Sequence, residues 1–98
     1  MKRSYVAAAL LLLPVFAHAD PNTLKHPGRT LAANCFQCHG TDGYGMEHLA
    51  GKSASSIKGE LNEMKWKTPG ANIMNVHAQA YTDAEINLIA DYFSKLPK

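Results

Sequence analysis

The chain has 98 residues, 46% of them hydrophobic, with ten Lys and Arg against eight Asp and Glu and a formal charge of +2. That length allows one small domain, and so slight a basic surplus excludes a nucleic-acid surface built on clustered Lys and Arg. Two cysteines are too few for a disulfide scaffold.

Lys2 and Arg3 precede an apolar run of 11 residues, Val6 to Phe16, which ends in the small-residue pattern Ala17-His18-Ala19. This layout predicts a secretory signal peptide over residues 1–19, cleaved after Ala19, and hence a periplasmic protein. The run falls short of the roughly 20 residues a spanning helix needs, so no permanent membrane anchor is expected. Residues 20–98 then form a single domain of 79 residues. Losing Lys2 and Arg3 balances its charges at eight against eight. A domain this small buries little of its own surface and needs a metal, disulfides or a large prosthetic group to complete its core.

Asp20 to Pro27 carries two prolines and little periodicity and reads as a flexible lead-in. A first helix is predicted from about Pro27-Gly28, with Leu31, Ala32 and Cys35 on one side, running into Cys35-Phe36-Gln37-Cys38-His39. Gly40, Gly43, Gly45 and Gly51 mark a loop. Ser53, Ser55 and Ser56 offer N-caps for a second helix, with Ile57, Leu61 and Met64 on one face and Thr68-Pro69-Gly70 at its end. Ala71 to Tyr81 reads as a second loop containing Met74. Thr82 and Glu85 have the spacing of a capping box, and Ile86, Ile89, Ala90, Phe93 and Leu96 follow at helical intervals until Pro97. Nothing reads as a strand. The expected architecture is all-α, about three main helices with two substantial loops.

Cys35-Phe36-Gln37-Cys38-His39 has the spacing of a covalent haem-attachment site. Positions three and four apart share a helix face, so both thiols can reach one haem edge while the imidazole of His39 faces the iron. A zinc half-site lacks further ligands at suitable spacing, and a thioredoxin-like redox pair lacks its βαβ surroundings. A local disulfide would close a loop too tight to constrain the unfolded chain much.

For the sixth iron ligand, Met1 departs with the leader, Met64 is explained by packing, and Met46 is only seven residues past His39. Met74 lies 35 residues after His39, in a loop long enough to fold over the opposite face, and is the preferred ligand. His77 in the same loop is its rival; His48, His26 and His18 rank lower. Asn72 or Asn75 is a candidate donor to the Met74 sulfur, and Trp66, between Lys65 and Lys67, a candidate donor to a haem propionate. The implied activity is one-electron transfer, with no substrate bond made or broken, so the chain alone is not an enzyme. A haem-based catalyst or sensor would need a displaceable sixth ligand.

The run Asn34-Cys35-Phe36-Gln37-Cys38-His39-Gly40-Thr41-Asp42-Gly43, with Leu49-Ala50-Gly51, Ile73-Met74 and Ala90-Asp91-Tyr92-Phe93, resembles the class I c-type cytochromes over essentially all of Pro27 to Pro97. Glu63-Met64-Lys65, Ile73-Met74, Tyr81-Thr82-Asp83 and Ala90 to Ser94 are similar to the cytochrome subunit of flavocytochrome c sulfide dehydrogenase. The resemblance implies the class I fold around one covalent haem c, with Cys35 and Cys38 attached to it and His39 and Met74 as proximal and distal iron ligands. It also implies a redox protein partner, either an FAD-containing sulfide dehydrogenase subunit or, for a free soluble carrier, an oxidase. Two departures stand out. Glu47 occupies the place of a common proline whose carbonyl accepts from the proximal histidine, and the loop from Gly43 to Ala50 is short and polar. One attachment motif rules out a two-haem version.

Overall fold

The computed structural model describes residues 21–98; the expected leader and its cleavage point lie outside the described residues. In chain order the helices are α1 (Pro21–Leu24), α2 (Gly28–Leu31), a 3-10 turn (Ala32–Cys35), α3 (Phe36–His39), α4 (Ala54–Lys65), α5 (Ile73–Gln79) and α6 (Asp83–Ser94). There is no strand among the described residues, and the all-α expectation holds. No helix among them is long and apolar enough to cross a membrane.

The predicted capping box forms: Thr82 Oγ1 accepts from the Glu85 amide at 3.2 Å, and Glu85 Oε1 accepts from the Thr82 amide at 2.9 Å. Behind it α6 buries Ile86, Ile89, Ala90, Tyr92 and Phe93. That face is wide because α6 packs on α2 and on α4 at once. Ile86, Ile89 and Phe93 are fully enclosed, and each such side chain stabilises the fold by about 1.5–3 kcal/mol.

The crossing of α2 over α6 depends on Gly28. A Cβ there would run into the Leu88 carbonyl, with the carbonyl carbon only 2.7 Å away. His26 completes this junction. Its Nδ1 accepts from the Gly28 amide at 2.9 Å, so Nε2 carries the proton and donates to Asp91 Oδ2 at 2.6 Å. Lys95, one turn further along α6, reaches the same Asp91 oxygen at 2.7 Å. Lys95 first and His26 second hold the Asp91 carboxyl below its usual range.

On α4, Ser53 accepts from the Ser56 amide at 3.2 Å, which selects it among the three candidate caps. The helix stops at Lys65, with Trp66 as its C-cap, before the Thr68-Pro69-Gly70 turn.

Two expectations are corrected. The lead-in contains the helical turn α1, and Thr23 within it is buried. The segment from Ala71 to Tyr81 is not a plain loop: Asn72 caps α5 by accepting from the Asn75 amide at 2.9 Å, so Met74 sits in a short helix. The expected all-α architecture of about three main helices stands, with the first of them broken into α2, the 3-10 turn and α3, and with the short α5 added.

Candidate functional site

One apolar cleft gathers the chemistry-bearing residues. It is open to solvent along one side and lined mainly by apolar side chains. Asn34, Cys35, Cys38 and His39 line it from the 3-10 turn and α3, and Met46, Glu47 and Leu49 from the glycine-rich loop. It is lined as well by Ile57, Glu60, Leu61 and Met64 of α4, by Ile73, Met74, His77 and Ala78 of α5, and by Tyr81, Ile89 and Phe93.

His39 is buried on this cleft, and its ring is fixed by a backbone carbonyl: Nδ1 lies 3.3 Å from Glu47 O. A carbonyl only accepts, so Nδ1 carries the proton and the lone pair is left on Nε2. No partner for Nε2 occurs among the described residues. The loop is folded back to make this contact. The Gly45 amide donates to His39 O at 2.7 Å and the Met46 amide to Cys38 O at 2.7 Å. A Cβ on Gly45 would collide with the Cys38 carbonyl and lie 2.7 Å from the His39 carbonyl carbon, so only glycine permits so close a return. Glu47 then adopts φ +54°, the one non-glycine residue described with a positive φ. A left-handed turn at Glu47 thus supplies the carbonyl that a proline commonly supplies in the family resembled.

Cys35 and Cys38 lie on the cleft and are not bonded to each other. Cys35 is half-buried, and desolvation pushes its thiol up to about 11. A thiol this hard to ionise is a poor redox nucleophile, which counts against the thioredoxin-like alternative. No group of three or more His, Cys, Asp or Glu side chains arranged to hold a metal ion occurs among the described residues, which counts against zinc.

Met74 and His77 both line the cleft and both are half-buried, three residues apart on one face of α5. Met64 lines it too, its sulfur 4.0 Å from Asn72 Nδ2. Asn72 is therefore directed to Met64 and to capping α5. Asn75 is fully buried and already committed to backbone. It accepts from the Gly70 amide at 2.7 Å and donates to Met64 O at 2.8 Å and Lys67 O at 3.3 Å, fastening α5 to the end of α4. Its role is to hold the helix that carries Met74 rather than to bond the sulfur.

Trp66 is 79% exposed and does not line the cleft, and its indole is approached by Lys65 Nζ at 5.8 Å from the ring centroid. Nor do His26 and His48 line it, the one tied to Gly28 and Asp91, the other packed at a tilt against Tyr44 with ring centroids 4.1 Å apart.

Tyr81 is a structural member that sequence reasoning assigned no task. Its hydroxyl donates to Leu31 O at 2.7 Å and accepts from Asn34 Nδ2 at 3.1 Å, while its carbonyl accepts from Lys65 Nζ at 2.9 Å. It joins the attachment segment to the end of α4. Its place just before the cap Thr82, five residues ahead of the buried Ile86, is the spacing of a hydrophobic staple.

The family model for cytochrome c matches residues 26–97. The chain belongs to the cytochrome c family. It is 39% identical over 74 residues, 72% of this chain and 67% of the other, to the cytochrome subunit of sulfide dehydrogenase from Chlorobaculum tepidum. It is thus a class I c-type cytochrome resembling that subunit, an electron-carrying protein whose cofactor is covalent haem c with its iron. The cleft fits this group. Its walls are largely apolar, and a buried imidazole with one nitrogen pinned by a carbonyl presents the other, unpartnered, beside two thiols.

Proposed function

We propose that this cytochrome works in the periplasm, after cleavage behind Ala19, as the electron-accepting subunit of a flavin-containing sulfide dehydrogenase. Cys35 and Cys38 would hold the haem covalently, and His39 and Met74 would ligate its iron. The observation that carries this is the convergence of all four side chains on one cleft. Bound haem supplies a one-electron ferric/ferrous couple, tuned upward in potential by His/Met ligation.

The chain's own residues orient and insulate. Glu47 O fixes the His39 ring and its tautomer. Leu49, Ile57, Ile89 and Phe93 exclude water from the inner wall. Cys38 is exposed, as are Met46 (71%) and Ile73 (63%) at the rim, which makes this the edge where a partner would approach. No substrate-transforming step is assigned to the chain itself. A body with eight charges of each sign has little long-range steering, which suits a lasting apolar interface better than fast charged docking.

Two measurements on the natively matured protein test this reading. The oxidised spectrum is expected to show a far-red sulfur-to-iron charge-transfer band that Met74→Ala abolishes, and gentle purification from periplasmic extract is expected to retain an FAD-containing partner. A band that survives Met74→Ala would overturn the ligand assignment; a lone monomer that passes electrons to an oxidase would overturn the subunit assignment.

A further inference from the structure

We propose that His77 is a reserve ligand of the same iron, built into α5 one turn beyond Met74, and that its imidazole takes the sixth position when the thioether is lost. This deepens the Met74 assignment and rests on it. The residues of α5 divide cleanly by surroundings. Asn75 is buried and bonded to the end of α4, Val76 is 52% exposed, and Met74 and His77 are half-buried on the cleft. Residues three apart on a helix share a face and differ by about 4.5 Å along the axis, so the imidazole stands one short step from the sulfur.

His77 is also chemically available. His26 is held by Gly28 and Asp91, His39 by Glu47, and His48 is packed at a tilt against Tyr44. No hydrogen bond, ion pair or ring contact of the His77 side chain occurs among the described residues. The other ligating side chains on the cleft are less suited. Met46 is 71% exposed on the loop whose backbone is tied to Cys38, and Met64 has its sulfur against Asn72. Imidazole is moreover a ligand well suited to iron. The register of α5 is set by the three hydrogen bonds of Asn75, which hold Met74 and His77 together on the cleft.

The test uses holo-protein matured in a haem-competent host: wild type, Met74→Ala, and Met74→Ala combined with His77→Ala, read by absorption, electron paramagnetic resonance and redox titration. Met74→Ala is expected to lose the far-red band yet stay low-spin, with bis-imidazole resonance and a lower potential than wild type. The double variant is expected to become high-spin. A high-spin Met74→Ala protein or a low-spin double variant would each overturn the reserve role, whereas a far-red band persisting in Met74→Ala would overturn the Met74 assignment. Absence of the band from wild type would instead overturn the Met74 assignment itself. Should Met74→Ala fail to retain haem, Met74→Leu, which keeps the side-chain volume, is read against the same outcomes.

Discussion

Replacing Asn75 with alanine removes the three hydrogen bonds that fasten α5 to the end of α4. The two shorter ones, at 2.7 Å to the Gly70 amide and 2.8 Å to Met64 O, are each worth about 1 kcal/mol net, and the third, at 3.3 Å to Lys67 O, less. Gly70 and Lys67 are exposed, so their freed groups return to water; Met64 is half-buried, and its carbonyl incurs part of a desolvation penalty. The total loss is about 2–3 kcal/mol, which for a domain of this size lowers Tm by about 10–20 °C. Thermal unfolding of the oxidised holo-protein, followed by far-UV circular dichroism and by the far-red band, is the assay. Because Asn75 holds the helix that carries Met74, the band is expected to disappear before the helical signal does. Asn75→Asp sharpens the test, since its carboxylate would face the carbonyls of Met64 and Lys67. Burial and those dipoles raise the pKa of such a carboxyl, so its neutral form is favoured in the fold. Relative to Asn75→Ala, this variant gains stability at low pH and loses it as pH rises through the raised pKa. A Tm shift under about 4 °C for Asn75→Ala, equivalent to less than 1 kcal/mol, would refute the reasoning.

Gly28→Ala drives a Cβ into the Leu88 backbone, which cannot rotate away as a side chain would; a cost of about 3 kcal/mol is expected in urea unfolding, against near-neutrality if the crossing is loose. At Glu47, φ +54° is adopted by glycine without penalty and is closed to proline. Glu47→Gly is expected to keep the wild-type potential and to raise stability by up to about 1 kcal/mol, whereas Glu47→Pro is expected to release His39 Nδ1 and shift the potential. Equal potentials in the two variants would show that the carbonyl contact is immaterial. The depressed Asp91 carboxyl contributes stability above its unfolded pKa, near about 3.9, and that contribution is lost as pH falls through the lower folded value. Wild type is therefore expected to be more stable than Asp91→Asn at neutral pH, with the gap in urea midpoints closing below about pH 4. A gap independent of pH would contradict the role given to Lys95 and His26.

The parts of this fold that announce themselves in the sequence are those in which local and tertiary signals coincide. Thr82 and Glu85 cap a helix whose apolar stripe is also its buried face, and Ser53 precedes another such stripe. Cys35, Cys38 and His39 share a helical turn because their spacing dictates it. Helix α5 escaped because its pattern is inverted. Ile73 and Val76 are exposed while Asn75 is fully buried, so hydrophobic periodicity has nothing to detect, and Pro69-Gly70 suggests a loop throughout. The structural role of His26 is not legible in the sequence because the Asp91 it reaches is 65 residues away, a pairing that exists only after α2 has crossed α6. The exposure of Trp66 follows from its register: it falls on the opposite side of α4 from the buried Ile57, in line with the exposed Gly59 and Glu63. At Glu47 the sequence showed a departure from the family's pattern, but the left-handed turn that restores the carbonyl is set by the folded-back backbone of Gly45 and Met46.

The central claim is a covalent one, and mass measures it. Protein matured in a host that attaches haem, denatured and extracted with acidified organic solvent, is expected to retain the mass of the polypeptide plus one haem. That added mass should disappear when Cys35 and Cys38 are both replaced, since either thioether bond alone retains the haem. Bare polypeptide in the same preparation, with the pigment gone into the solvent, would contradict the account.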